Sequence, residues 1–338
     1  MTSLQVAVAN FNSPYITAYP WTTAVGFGAK YSDPGTLPGG NGYGISFNST
    51  AIAQASNPSP IIQAYPFTSG GFGSKYSNPG TLPAGYGHGC AFGASDIAVA
   101  HATSPYVTAY PWSSGFGVKY SDPATLTGYT CYGVAFNTAD IAVACKGTSP
   151  RVVAWPWNPG FGSKYSDPGT IPAGIGWSVA FGLGSIAVGS GSSPLIQAYP
   201  WTHGSGFGSK YSNPGTLPTG IGYGVAFGAS DVASMNTGGS SRINAWPFSA
   251  GFGSKYSDPV TTPSGSGYAV AFGASDIAGG TSGSPFIYAW PWTPGVGFGS
   301  IYSNPGTLPA GKARGIAFGS IGGSVTAFND PIWFGMTT

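Results

Sequence analysis

The chain has no glutamate, and only 6% of its 338 residues are charged, against roughly 25% in ordinary soluble domains. A general acid and base need two carboxylates in different surroundings. Here Asp96, Asp140, Asp231 and Asp276 all occupy one turn position before a strand, where Ser185 and Ala51 stand in other copies, so they read as turn residues. His88, His101 and His203 fall at unrelated positions and form no metal set, and no serine nucleophile stands out beside a histidine. No enzymatic activity and no cofactor are expected. Net charge is +2 on widely spaced lysines, which leaves no basic stripe for a phosphate backbone, so nucleic acid is not an expected partner. No apolar run approaches the roughly 20 residues of a membrane span, and the N-terminus lacks the basic and apolar regions of a secretory signal. A soluble protein without membrane insertion is expected. Cysteine is scarce: Cys90, Cys131 and Cys145 lack metal-type spacing and read as small buried apolar side chains, with a Cys131–Cys145 or Cys90–Cys131 bridge as the alternatives.

What the chain does have is repetition. Ala18-Tyr19-Pro20-Trp21 returns in variant form from Ala64, Ala109, Ala154, Ala198, Ala245 and Ala289, at spacings of 46, 45, 45, 44, 47 and 44 residues. A period near 45 with several short strands is that of propeller blades, and the helix-period stripes of helical repeats are missing. The 57 glycines and 30 prolines exceed a quarter of the chain. They recur at the same places between apolar runs, so they mark turns, not disorder.

One copy yields a blade. Tyr132 to Phe136 is a first strand, Asp140 to Ala144 a second, Pro150 to Trp157 a third and Phe161 to Ser166 a fourth. In the third strand Val152, Ala154 and Pro156 share one face, and Val153, Trp155 and Trp157 the other. The small face recurs in every copy, which would let the next blade sit close while aromatics fill the widening gap. The fourth strand carries Lys30, Lys75, Lys119, Lys164, Lys210 and Lys255, read as guards against edge-to-edge pairing. The expected fold is all-β: a seven-bladed β-propeller of four-stranded antiparallel blades. Leu4 to Ala9 matches a second strand and Arg314 to Phe318 a first strand, so pairing of the N- and C-terminal strands should close the ring. The propeller would span residues 1–318. Residues 319–338 would form a tail or extra strands, with Ile332, Trp333 and Phe334 as candidate assembly contacts.

The order Gly-Val-Ala-Phe, turn, Asp-Ile-Ala-Val-Ala, loop, Tyr-Pro-Trp resembles the WD-repeat unit, without its Trp-Asp or Gly-His dipeptides. The fuller phrase of Tyr-Pro-Trp, Gly-Phe-Gly, Lys-Tyr-Ser and Val-Ala-Phe resembles propeller repeats in virion proteins of tailed bacteriophages. That resemblance implies a virion location and a structural or adhesive role.

Strands repeat closely, but the loop between second and third strands varies from copy to copy, and such loops on a rigid scaffold are where binding residues usually reside. Phe11, Asn57, His101, Lys146, Arg151, Asn236 and Arg242 are the candidate ligand-binding residues, since aromatic faces and amide donors suit sugar rings. The expected function is rigid presentation of this face to a host surface glycan or to other virion proteins. The alternative is a free lectin or protein-interaction scaffold.

Overall fold

The computed structural model describes residues 3–321, and these form seven small antiparallel sheets. Each sheet is one blade of a seven-bladed propeller. The inner strands are Asn41–Phe47, Gly87–Phe92, Cys131–Phe136, Gly176–Gly182, Gly222–Phe227, Gly267–Phe272 and Ala313–Ile321. The last pairs with Ser3–Asn10, whose partner on the other side is Ile16–Thr22. Six blades are therefore continuous and one is assembled from both ends of the described chain. The candidate assembly residues Ile332, Trp333 and Phe334 lie outside the described residues.

Blade packing follows from a rung of small residues. At the same level in every blade an alanine of the second strand faces an alanine of the third, as in Ala7↔Ala18, Ala142↔Ala154 and Ala278↔Ala289. In six of the seven blades the first strand adds another alanine, as in Ala135↔Ala142; in the second blade it is Ser46. These short side chains form one flat face. The neighbouring blade lays its large face against it: Ala98, Ala100 and Ala109 of the third blade pack with Phe136, Ile141, Val153 and Trp155 of the fourth. Fully burying a Phe or Ile contributes on the order of 1.5–3 kcal/mol each, so the seven blade junctions hold the core.

The outer edge differs from the sequence-based picture of four full strands. Four blades have a fourth strand of only two residues, such as Gly26–Phe27, and three have a single bridge there, such as Trp157↔Phe161. Beyond it the chain leaves the ladder, because the third strand carries a proline at or near its end, which has no N–H to donate. The link is still tied back twice per blade: the N–H of Gly162 donates to Pro156 O and that of Tyr165 to Ala154 O, and every other blade repeats both bonds. The lysines sit in this link, not in a strand. Lys30, Lys119, Lys164 and Lys255 pair with Asp33, Asp122, Asp167 and Asp258 three residues on, so they close the link turn.

Cys131 and Cys145 form a disulfide across the first two strands of the fourth blade, which corrects the reading of both as isolated apolar side chains. Cys90 is buried and free, and burial pushes its thiol up to about 12.

Candidate functional site

Each inner strand carries one irregularity in its pairing with the second strand, always at the same place. The register steps from Gly42 to Gly44, Gly87 to Gly89, Cys131 to Gly133, Gly176 to Ser178, Gly222 to Gly224, Gly267 to Ala269 and Ala313 to Gly315. The skipped residues are Tyr43, His88, Tyr132, Trp177, Tyr223, Tyr268 and Arg314. A bulged residue leaves the ladder and its side chain is re-aimed; here all seven turn into the mouth of the central channel.

They meet there as a closed ring. Tyr43 to His88 is 5.6 Å between ring centroids, His88 to Tyr132 4.7 Å, Tyr132 to Trp177 4.4 Å, Trp177 to Tyr223 4.6 Å and Tyr223 to Tyr268 5.3 Å. Arg314 completes the circle, its guanidinium 3.9 Å from the Tyr268 centroid and 6.0 Å from that of Tyr43. All seven side chains are half-buried. The small residue after each bulge permits the narrow bore. A side chain at Gly44 would meet the backbone of Gly89 at 2.7 Å, and one at Gly315 the carbonyl of Tyr43 at 2.7 Å.

Below the ring the channel wall is apolar, with Ile45, Cys90, Val134, Val179, Val225, Val270 and Ile316, and the cavity measures about 270 Å³. That lies just below the range of roughly 300–1,000 Å³ for ligand pockets, enough for one sugar-sized ring and not a long chain. Among the described residues its lining holds a single permanent cation, Arg314, and no carboxylate. Burial, with His101 and Arg314 nearby, lowers His88 to about 4, so its imidazole is neutral at neutral pH. Among the described residues no cluster of His, Cys, Asp or Glu could hold a metal ion, and no helix is long and apolar enough to cross a membrane.

The loops named from the sequence border this mouth, but few of their side chains are presented. Phe11 reaches the ring, 6.0 Å from Tyr43, with Arg314 and Lys312 over its face at 5.7 and 5.8 Å. Lys146 is exposed and Asn57 is partly exposed. The others serve the loops themselves. His101 is fully buried on Thr108 Oγ1 at 2.9 Å, and its imidazole is lowered to about 4 by burial. Asn236 is fully buried and donates to Arg242 O and Asn244 Oδ1. Arg151 donates to the carbonyls of Gly147 and Pro172, and Arg242 to that of Thr237. The loops also vary less than their sequences do. Tyr15, Ile61, Tyr106, Leu195 and Phe286 all adopt a left-handed φ of 65–70°. In each case the carbonyl accepts the N–H that ends the second strand, as from Ser56 to Ile61 and His101 to Tyr106.

The opposite end of the second strands holds a second constellation, and it corrects the reading of the aspartates as turn residues. Asp140 accepts from Tyr165 Oη at 2.7 Å in the following link, from Trp201 Nε1 at 2.9 Å in the next blade, and from His203 and Asn137. Asp96, Asp231 and Asp276 do the same with Tyr120 and Trp157, Tyr256 and Trp292, and Tyr302 and Trp21. These carboxylates are buried staples between blades. Burial alone would raise Asp140, but its four donors outweigh that and hold the carboxyl below its usual range.

The ring went unnoticed in the sequence, although its signal is there: four residues before the strand phenylalanine, six copies carry an aromatic residue or histidine and the seventh an arginine.

No protein-family model matches the chain, and no curated protein matches it. Solved structures are similar in fold. The periplasmic gluconolactonase of Pseudomonas aeruginosa superposes with a TM-score of 0.66 at 13% identity, over 94% of this chain and 99% of that one. A provisionally named 6-phosphogluconolactonase from Bacteroides uniformis gives 0.68 at 10% identity, over 94% and 99%. The β-propeller domain of Myceliophteria thermophila Cps50 (Swd1) gives 0.59 at 11%, over 82% and 90%. The expectation that this protein is not an enzyme is corrected by the first two: a propeller of this shape houses gluconolactonases, so the lack of a carboxylate pair does not bar the scaffold from catalysis. At such identities the likeness shows one thing, that the chain is a β-propeller.

Proposed function

We propose that this protein is a particle-borne adhesion module that presents its channel mouth to a saccharide on a host surface. The observation that carries this reading is the ring of six ring side chains, tilted or edge to face against one another, around a small apolar cavity bordered by Phe11. Sugar rings have apolar C–H faces that rest on aromatic faces, and their hydroxyls take hydrogen bonds from nearby donors. A fixed ring on seven inner strands supplies that surface without ordering a loop on binding, which spares the entropic cost. The resemblance of the repeats to those of tailed-phage virion proteins supports the particle setting, with other virion proteins as neighbours on the disc. Purified protein should bind a subset of bacterial surface polysaccharides saturably and with little dependence on salt. Trp177→Ala and Tyr132→Ala should each weaken binding about tenfold or more while leaving the unfolding midpoint nearly unchanged. Loss of no affinity in either variant, or binding to no glycan and no cell, would sink the reading.

A further inference from the structure

We propose that the channel mouth is a subsite for a carboxylated sugar residue, with Arg314 receiving the carboxylate. This rests on the reading of the mouth as a saccharide site and names the chemistry of its ligand.

Seven equivalent bulges point into the mouth, and at six of them the chain places an aromatic or a neutral histidine ring. The seventh is the only one with a permanent charge. Arg314 lies on the strand that closes the propeller; it is skipped in the ladder itself, but its neighbours Ala313 and Gly315 pair with Asn10 and Ala9, and the inner strand Asn41–Phe47 packs alongside. The guanidinium is thus fixed in place, but its hydrogen-bonding capacity is unspent. Among the described residues it donates to no oxygen; its recorded contacts are the faces of Phe11, Tyr43 and Tyr268, and its Nε is buried without a partner.

Its Nε–H is the buried donor left without an acceptor, which costs free energy, while its terminal N–H groups are accessible to an incoming anion. The cation–π contact with Tyr268 at 3.9 Å offsets part of that, but it satisfies the flat face and not the N–H edge. Among the described residues no carboxylate lines the channel to do so from within. Lys312, exposed beside Phe11, adds a second positive charge on the same side of the mouth. The geometry therefore lacks one component, a planar anion arriving from outside, and a carboxylate matches the fork in two parallel hydrogen bonds.

The aromatic arrangement selects the rest of the ligand. Neighbouring rings from His88 to Tyr223 are tilted by 36–55°, so adjacent faces slope against one another and form no flat shelf. A funnel of tilted faces accepts a puckered ring, and the cavity of about 270 Å³ admits one such ring. A sugar with a carboxyl group, such as a uronic or sialic acid, carries both features.

The full-length protein would be tested by calorimetry against polygalacturonate, alginate and polysialic acid, each beside its methyl ester, which keeps the sugar and removes the charge. At least one acid should bind roughly tenfold tighter than its ester. That advantage should vanish in Arg314→Gln, shrink in Arg314→Lys, and persist in Lys75→Gln, which lies in an outer link beside Asn78. Residual binding of the ester by Arg314→Gln, lost in Trp177→Ala, would show the variant folded and the aromatic platform intact. If esters and neutral glycans bind as well as the acids, or Arg314→Gln keeps the preference, the inference fails while the saccharide reading stands. If neither acid nor ester nor any neutral glycan binds, the saccharide reading fails and the inference with it. Displacement of a bound acid by inorganic phosphate at equal concentration would also overturn the carboxylate assignment.

Discussion

At the scale of single residues, the blade junctions are near-copies whose differences are chemically matched. Where the second strand supplies an aspartate, the next blade supplies a tryptophan whose N–H it accepts: Asp96 with Trp157, Asp140 with Trp201, Asp231 with Trp292, Asp276 with Trp21. Where the second strand has Gln5 or Ser185, the link tyrosine is still met, by Gln5 Oε1 at 2.7 Å or Ser185 Oγ at 3.3 Å, and the next blade carries Phe67 or Phe248, which have no N–H to satisfy. One junction breaks the rule. Ala51 stands opposite Trp112, and Trp112 Nε1 is buried without an acceptor. An unpaired buried donor costs about 1–3 kcal/mol, so Ala51→Asp should stabilise the protein by about 1 kcal/mol after the expense of burying the new charge. In a Trp112→Phe background the same substitution should give no gain. Chemical denaturation of the four proteins in this cycle measures the coupling; a coupling of zero would mean that the orphan N–H costs nothing.

At the scale of the element, the link is held by its tyrosine. Burial first, and then the hydrogen bond to an aspartate, raise Tyr120, Tyr165, Tyr256 and Tyr302 from the ordinary value of 10.0 to about 12. A phenol whose folded value is raised favours folding fully below its unfolded value, and that contribution is lost as pH rises through the folded one. The contribution of these four tyrosines should therefore begin to fall above about pH 10 and be lost near pH 12, lowering stability across that window. Tyr256→Phe should flatten the pH dependence in that window while lowering stability at pH 7, which thermal melts across the range would reveal. Much of the blade was legible in the sequence, since alternation, glycine and proline set its strands and turns locally. The staples were not, because their partners lie 24–26 and 61 or more residues away and no local pattern links them. The bulges were hidden for a different reason. A register step belongs to two strands at once, and Tyr132-Gly133-Val134 reads alone as a regular strand. The two-residue fourth strands were overestimated because Phe161 to Ser166 has strand composition but follows the donor-less Pro156.

At the scale of the whole molecule, closure is non-covalent and rests on Ala313–Ile321. This strand buries Ile316 and Phe318 against Val6, Val8 and Trp21, worth about 1.5–3 kcal/mol for each large side chain. Single domains are stable by only about 5–15 kcal/mol in total. A chain ending at Lys312 should lose its cooperative thermal transition and become open to limited proteolysis, because the first blade would then present an unpaired edge. A sharp transition in that truncated chain would show that six blades and a remnant suffice. The closure was predicted from Leu4 to Ala9 matching a second strand, a global property that repetition makes visible from either end.

The bulge in each inner strand has a consequence for how the molecule can change. A residue outside the ladder pairs with nothing that folding requires, so its identity is released from the repeat that surrounds it: the small residue and the phenylalanine that follow recur in every blade, while the bulged position holds tyrosine, histidine, tryptophan or arginine. One backbone irregularity, copied with each duplication, thus gives the propeller seven separately editable letters around a single pore, and recognition can be rewritten there one letter at a time without redrafting the scaffold.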